Sequence, residues 1–176
     1  MMRVLCSLAA LVIAGPVFAQ SPVVVGGTAA APVASMADTY GAGIGVRASL
    51  DLKPASGFGW RIGLEATRFG GHERRRGTPF ADGLSVGATV SARLRLRGSA
   101  TAAYGLAGLG AFHERAGDHA PYAVVPEAHL GVGLEIPAGA VALVPEVRAQ
   151  AVLSDLLSGS EFTPSLRVPV TLGVRF

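Results

Sequence analysis

Few side chains in this sequence have the types and spacing of a reactive site. Glu127 and His129 are two residues apart, and with Glu146 they could form an acid–base site. His113, Asp118 and His119 could bind a divalent metal, but two histidines and one aspartate without a fixed spacing are weak evidence for a metal site. We therefore expect no catalytic residue, no metal and no cofactor, and we interpret His129 as a hydrogen-bonded member of a structural network.

A run of basic residues is the other chemically distinctive feature. Arg74, Arg75 and Arg76 are consecutive, and their guanidinium groups could bind phosphate oxygens in pairs. Basic runs are also common in loops that only contact water, and the sequence leaves both interpretations open.

The composition indicates a protein that buries much of its surface without a basic face for nucleic acid. Half of the 176 residues are hydrophobic, 15% are charged, and the mean hydropathy is +0.46. This balance excludes a disordered chain, and the length fits one domain. The net charge is +3, and the arginines are spread along the chain, so we expect no nucleic-acid partner.

The first residues have the pattern of a secretory signal peptide. Arg3 precedes an apolar run, and small residues follow up to Ala19, so we expect residues 1–19 to be removed and 20–176 to form the mature domain. The only cysteine, Cys6, lies in that peptide. The mature chain would therefore have no disulfide and no cysteine-bound metal.

The rest of the chain alternates between apolar and polar residues. In residues 40–52 the even positions are apolar, while the odd positions are glycine or polar. Neighbours two apart lie on opposite sides of a helix but on one face of a strand, so this period predicts strands. The same period, with weaker contrast in places, predicts strands near 40–52, 58–69, 83–97, 101–112, 122–136, 140–153 and 163–176.

The connections alternate between short turns and long polar loops, which indicates an up-and-down meander. Long loops near 70–82, 113–121 and 154–161 would share one end, with the short turns at the other. Counting back from the C-terminus requires an eighth strand, which we place near 22–30. Proline removes a ladder donor, so we expect bulges or strand ends at Pro126, Pro145 and Pro169.

The long strands and the mixed glycine and charged face favour a barrel with lipid outside. Because no backbone group can stay unpaired in lipid, the sheet must close. The fold class is therefore all-β, a closed antiparallel transmembrane barrel of eight strands. Aromatic residues near the strand ends would form the interface girdles, namely Tyr40, Phe112 and Tyr122 at the loop end and Phe58, Trp60 and Phe176 at the turn end.

The polar face would fill the barrel with a salt-bridged network. Pairing Leu52 with Phe58 places Arg61 diagonal to Asp51, and the turn at 137–139 places His129 opposite Arg148. The predicted members are Arg47, Asp51, Arg61, Glu65, Arg93, Arg95, Glu127, His129, Glu146 and Arg148.

The last strand, residues 168–176, alternates and ends on Phe176. It is similar to the C-terminal signal of outer-membrane proteins, and residues 22–176 resemble the small eight-stranded barrels of the OmpA transmembrane-domain and OmpX type. Pro169 departs from that pattern. The resemblance implies an outer-membrane location in a Gram-negative-type envelope, recognition by the barrel assembly machinery, a monomer, and lipid and lipopolysaccharide as partners. Its role would be structural or surface-interactive, with extracellular loops as contact sites.

Two other functions remain alternatives. The first is a lipid A-modifying enzyme, which a buried serine or tyrosine within hydrogen-bond reach of His129 would support. The resemblance to lipid A deacylases fails on spacing, because no serine lies two residues from a histidine. The second is a periplasmic, lipocalin-like barrel whose apolar face points inward around a ligand.

Overall fold

Eight strands account for nearly all of the described chain. The computed structural model describes residues 21–33, 37, 40–52, 57–71, 82–96, 101–116, 123–153 and 165–176. The predicted signal peptide lies outside these residues. The strands are β1 (Val23–Val33), β2 (Tyr40–Leu52), β3 (Phe58–Gly71), β4 (Gly83–Arg95), β5 (Ala102–Ala116), β6 (Ala123–Ala138), β7 (Val141–Val152) and β8 (Ser165–Arg175).

Each strand pairs antiparallel with the next, and β1 pairs with β8, so the sheet closes into a barrel. The predicted fold class is confirmed. β1 supplies the eighth strand although its sequence alternates poorly. A side chain at Gly26 would approach the Cα of Gly173 to 2.6 Å, so this glycine is needed where the first and last strands meet. No helix among the described residues is long and apolar enough to cross a membrane.

The apolar face of the barrel points outward. Ile44, Leu109 and Leu172 are 75%, 68% and 62% exposed, whereas Arg61 and Arg148 are each 1% exposed. This arrangement is the reverse of a ligand-binding barrel with an apolar interior. The lipocalin-like alternative is therefore wrong.

Two hairpins differ from the predicted register by two residues. Leu52 pairs with Trp60 instead of Phe58, and His129 pairs with Gln150 instead of Arg148. The second shift arises because the turn occupies residues 139–140 and not 137–139. A slip of two keeps every side chain on its predicted face, so the two-residue alternation could not reveal the error.

The three prolines produce no register shift. Pro126 pairs with Ala111 in an unbroken register, and β7 and β8 keep one register on both sides of Pro145 and Pro169. Two residue pairs are missing from the β6–β7 ladder at Pro145, and two are missing from the β7–β8 ladder at Pro169. These gaps are expected because proline has no N–H donor. The predicted bulges are absent there. The described register irregularity lies instead between Tyr40 and Gly43.

Small apolar clusters lie at both ends of the interior. Val24, Tyr104, Leu106 and Val144 pack together toward the turn end. Toward the loop end, Phe69 packs with Ala30 and Tyr40, and Phe112 packs with Val125 and Val152. The central ion pairs around Arg61 and Glu146 occupy the space between these clusters.

The β6–β7 turn provides a test of this architecture. Gly139 has a φ of +69°, which a β-branched residue adopts only with strain. We expect Gly139→Val to lower the free energy of unfolding by about 1 kcal/mol or more. The measurement is urea unfolding of the barrel in detergent micelles. Ala138→Val, at the adjacent exposed strand end, is the control and should unfold like the parent; equal midpoints for both variants would contradict the turn geometry.

Candidate functional site

The barrel interior, called the lumen here, is the candidate site because it gathers most of the buried charged groups. Among the described residues, five arginines and five carboxylates are buried in it. These are Arg47, Arg61, Arg93, Arg148, Arg167, Asp51, Glu65, Glu127, Glu135 and Glu146. The fully buried arginines and carboxylates are therefore equal in number.

Arg61 is at the centre of the network. Its Nε and Nη2 donate to the two carboxylate oxygens of Asp51 at 2.6 and 2.9 Å. Its Nη1 donates to Glu146 Oε2 at 2.5 Å and to the Tyr104 hydroxyl at 3.2 Å. Tyr104 donates to the same Glu146 oxygen at 2.7 Å. Arg61 on β3 therefore joins the neighbouring strand β2 to β7, which lies directly across the barrel from β3.

Two more arginines complete the central group. Arg47 binds Glu146, and Arg148 binds Glu65. Arg148 Nε also lies 3.3 Å from Glu146 Oε1. Glu146 is thus surrounded by three guanidinium groups, which offset the cost of burying its charge.

A second group lies toward the turn end around Glu135. Arg93 and Arg175 donate to its Oε1 at 2.5 and 2.6 Å, and Arg95 lies 3.3 Å from its Oε2. Arg95 has a side chain that is 40% exposed, so it lies at the edge of the network.

The third group, toward the loop end, contains a chain of hydrogen bonds that resembles the arrangement of an activated serine. Ser91 Oγ lies 2.8 Å from His129 Nε2, and His129 Nδ1 lies 2.8 Å from Glu127 Oε1. Arg167 Nη2 lies 3.4 Å from the other oxygen of Glu127. Ser91, His129 and Glu127 are 0%, 3% and 1% exposed, so the chain is enclosed.

Arg167 connects the hydrogen-bonded series of Ser91, His129 and Glu127 to residues near the loop end of the strands. It donates to Gln150 Oε1 at 2.8 Å, Ser85 Oγ at 3.1 Å and Glu114 Oε1 at 3.0 Å. Its guanidinium carbon also lies 4.6 Å from the centre of the Phe112 ring. Tyr104 has a similar role near the turn end, where Arg93 lies 4.2 Å from its ring centre. Such cation–π contacts add attraction where water is excluded.

Phe112 is not an interface aromatic, and this prediction is wrong. It is 1% exposed and faces the lumen, as do Ala102, Tyr104 and Leu106. The opposite face of β5 carries Ala103, Gly105, Ala107, Leu109 and Ala111. Because both faces are apolar, alternation could not show which one points outward.

Tyr40 also fails as a lipid-facing girdle residue. It is half-buried, its ring lies 5.9 Å from that of Phe69 in the lumen, and it packs beside Gly83. The irregular register after Tyr40 takes it out of the alternation of β2. Tyr122 and Arg74, Arg75 and Arg76 lie outside the described residues.

The turn-end aromatics lie on the outer face. Phe58, Trp60 and Phe176 are 50%, 48% and 70% exposed, and the first two rings meet edge to face at 5.8 Å.

The ten predicted network residues all lie in the lumen or at its edge, but several partners differ. Arg148 was expected opposite His129, but the register is shifted by two residues and Arg148 binds Glu65 instead. The prediction also omitted Tyr104, Glu135, Gln150 and Arg167. Glu135, Gln150 and Arg167 occupy the alternate positions of their strands at which the other polar residues lie, and this pattern could have identified them. Tyr104 lies on β5, where both sets of alternate positions are apolar.

The packed lumen restricts what chemistry is possible. One void that Arg47, Arg61 and Glu146 help to line has a volume of about 10 Å³, and so does one beside Tyr40 and Phe69. Such a volume holds at most one water. The void beside Glu146 therefore has no room for a substrate.

Several solved structures of outer-membrane proteins share this fold. The chain is similar to Neisserial surface protein A, with 19% identity and a TM-score of 0.57 over 88% of this chain and 95% of that one. It is also similar to Ail, the attachment invasion locus protein of Yersinia pestis, with 17% identity and a TM-score of 0.56 over 89% and 97%. The outer membrane enzyme PagL matches at 16% identity and a TM-score of 0.51 over 89% and 96%. No family model matches the chain, and the search of curated proteins gives no match.

The central group predicts a large penalty for removing one charge. We expect Arg148→Met to lower the free energy of unfolding by about 3 kcal/mol or more, because Glu65 is then buried without its cation. The additional change Glu65→Gln should recover much of this loss. The measurement is urea unfolding in micelles.

Arg95→Met is the matched control, since this pair is partly exposed and its removal should cost about 1 kcal/mol or less. An unchanged midpoint for Arg148→Met would show that the network does not stabilise the barrel.

Proposed function

We propose that this protein is an outer-membrane barrel with a plugged lumen and a structural or surface-interaction role. The observation that carries the proposal is the orientation of its two faces. Large apolar side chains such as Ile44 and Leu109 cover the outside, while the buried charges are paired within the lumen. An exposed apolar surface of this extent is stable only against lipid or another apolar surface.

The outer face has the features of a membrane barrel. The exposed Phe58, Trp60 and Phe176 lie at the turn end, where aromatic residues of a barrel meet the membrane interface. Closure of the sheet leaves no unpaired edge, which is the condition for strands to cross lipid. The fold similarity to outer-membrane proteins supports the same location. The turn end would then face the periplasm, and the long loops would face outward.

The tight packing around Glu146 supports a role at the surfaces of the barrel and not in its interior. We propose that the loops at the outer end contact lipopolysaccharide or another partner, with Arg74, Arg75 and Arg76 as candidates. We also propose that the barrel assembly machinery reads the C-terminal strand, on which Phe176 is 70% exposed. A monomer needs no further surface to complete its sheet, because the barrel is closed.

The location has a direct test. We expect the full-length protein, expressed in a Gram-negative host, to fractionate with the outer membrane. An unboiled sample should migrate differently from a boiled one on a detergent gel, because a closed barrel resists unfolding by the detergent. A Gly139→Val/Arg148→Met double variant should lose this difference at a lower temperature. Recovery of the protein in the soluble periplasm would contradict the proposed location.

A lipid A-modifying enzyme is the second candidate, because Ser91 is within hydrogen-bond reach of His129. A histidine that is held by a carboxylate can activate a serine. Burial favours a structural role instead, since Ser91 Oγ points into the filled lumen and a lipid substrate would lie outside the wall. PagL shows that the fold can belong to an enzyme, but its similarity to this chain is limited to the fold.

A serine-directed probe separates the two candidates. We expect a fluorophosphonate not to label Ser91 in the folded barrel, and His129→Gln to lower stability without changing the lipid composition of the membrane. Ser85→Ala is the control for labelling at another lumen serine. Labelling of Ser91 that disappears in His129→Gln would establish the enzyme candidate.

A further inference from the structure

Three ionisable side chains interrupt the apolar outer face of the described strands. They are Arg68 on β3 and His113 and Arg115 on β5, and we call them the outer basic cluster. All other charged residues of the described strands lie in the lumen or at its ends. Two arginines and a histidine on an otherwise apolar surface call for a physical reason.

The directions of these side chains follow from their neighbours. Thr67 and Phe69 are buried in the lumen, so Arg68 between them points outward, and its side chain is 72% exposed. On β5, Phe112 is buried, and Glu114 reaches Ser85 and Arg167 in the lumen. His113 and Arg115 therefore lie on the outer face.

The strand register brings the three residues together. Leu84 on β4 pairs with Arg68 on one side and with Arg115 on the other. The next outward position of β4, Val86, pairs with His113. The two arginines thus flank a single strand, with Cα atoms about 10 Å apart.

The cluster lies at the height of a membrane interface. Ten residues separate Arg68 from Phe58 in the turn-end girdle. They span about 34 Å along the strand, or about 26 Å of height at a tilt of about 40°. The apolar band of an outer-membrane barrel is about 25 Å tall, so the cluster lies where headgroups begin.

Arg68 already holds an anion in this structure. Its Nε and Nη2 both bind Asp82 Oδ2, and the amide of Gly71 donates to Oδ1 at 3.3 Å. The hydrogen bond from Arg68 and that from Gly71 lower the pKa of Asp82 below its usual value. Both partners are exposed, so an external anion can compete with Asp82 for the guanidinium.

We propose that the outer basic cluster binds the phosphate groups of outer-leaflet lipid headgroups. Guanidinium groups bind phosphate oxygens in pairs, and acyl chains would cover the apolar wall beside Ile44 and Val86. A membrane lipid satisfies both surfaces at once, whereas a soluble anion satisfies only the charges. The inference rests on the proposed membrane location.

The test compares lipid selection by the barrel and its variants in nanodiscs of phosphatidylcholine with a minor fraction of phosphatidic acid. The measurement is native mass spectrometry of the lipids that remain bound. We expect enrichment of phosphatidic acid to fall about fivefold for each of Arg68→Gln and Arg115→Gln. Asp82→Asn should raise the enrichment, because it removes the competing carboxylate. Arg95→Gln makes the same change in charge at the turn end and should leave the enrichment unchanged.

Each other result contradicts the proposal in a distinct way. Equal enrichment in the parent and both arginine variants would show that the cluster does not select phosphate. Displacement of the bound lipid by inorganic phosphate alone would show that the acyl chains do not contribute. Displacement by sucrose octasulfate, the heparin analogue bound in one Ail structure, would favour a soluble polyanion. A barrel that does not insert into lipid would instead contradict the proposed location.

Discussion

The structure depends on neutralising buried charge within a closed wall. A guanidinium or carboxylate that is removed from water is unstable unless an opposite charge and hydrogen-bond partners replace the solvent. Each of the five buried arginines and five buried carboxylates has an oppositely charged partner inside the barrel, although some guanidinium nitrogens of Arg47 and Arg148 have no hydrogen-bond partner. Most of the pairs cross between strands that are far apart in sequence, as Arg61 does when it joins Asp51 to Glu146. The network can therefore form fully only when the barrel is closed.

This interior also determines what the outside must be. An eight-stranded barrel has room only for the side chains of one face, and here the polar face occupies that space. The apolar side chains are left outside, where lipid is the solvent that suits them. Apolar clusters around Val24 and Phe112 lie toward the two ends of the lumen, and the central ion pairs between them are shielded from water. These apolar residues exclude water from the central ion pairs. The low local dielectric then strengthens the attraction within each pair.

The sequence was sufficient for the facing of six strands, because polar and apolar residues alternate visibly there. The eighth strand followed from the alternation of short and long connections, and closure followed from the absence of unpaired backbone groups in lipid. The sequence failed on β5, where Phe112 and Leu109 lie on opposite faces that are both apolar. It also failed on register, since pairing Leu52 with Phe58 or with Trp60 leaves every face unchanged. The partners of Arg148 therefore required the three-dimensional structure, although its place in the lumen did not.

The filled lumen also limits where a ligand can bind. The His129 ring meets Ser91 and Glu127 there, and all three residues are buried. Residues that have neutralised one another in a filled space cannot also bind a substrate without losing those interactions. On the outer wall, by contrast, Arg68 and its carboxylate partner remain exposed. Another anion can replace Asp82 on Arg68 at a small free-energy cost, because water already reaches both groups of this ion pair.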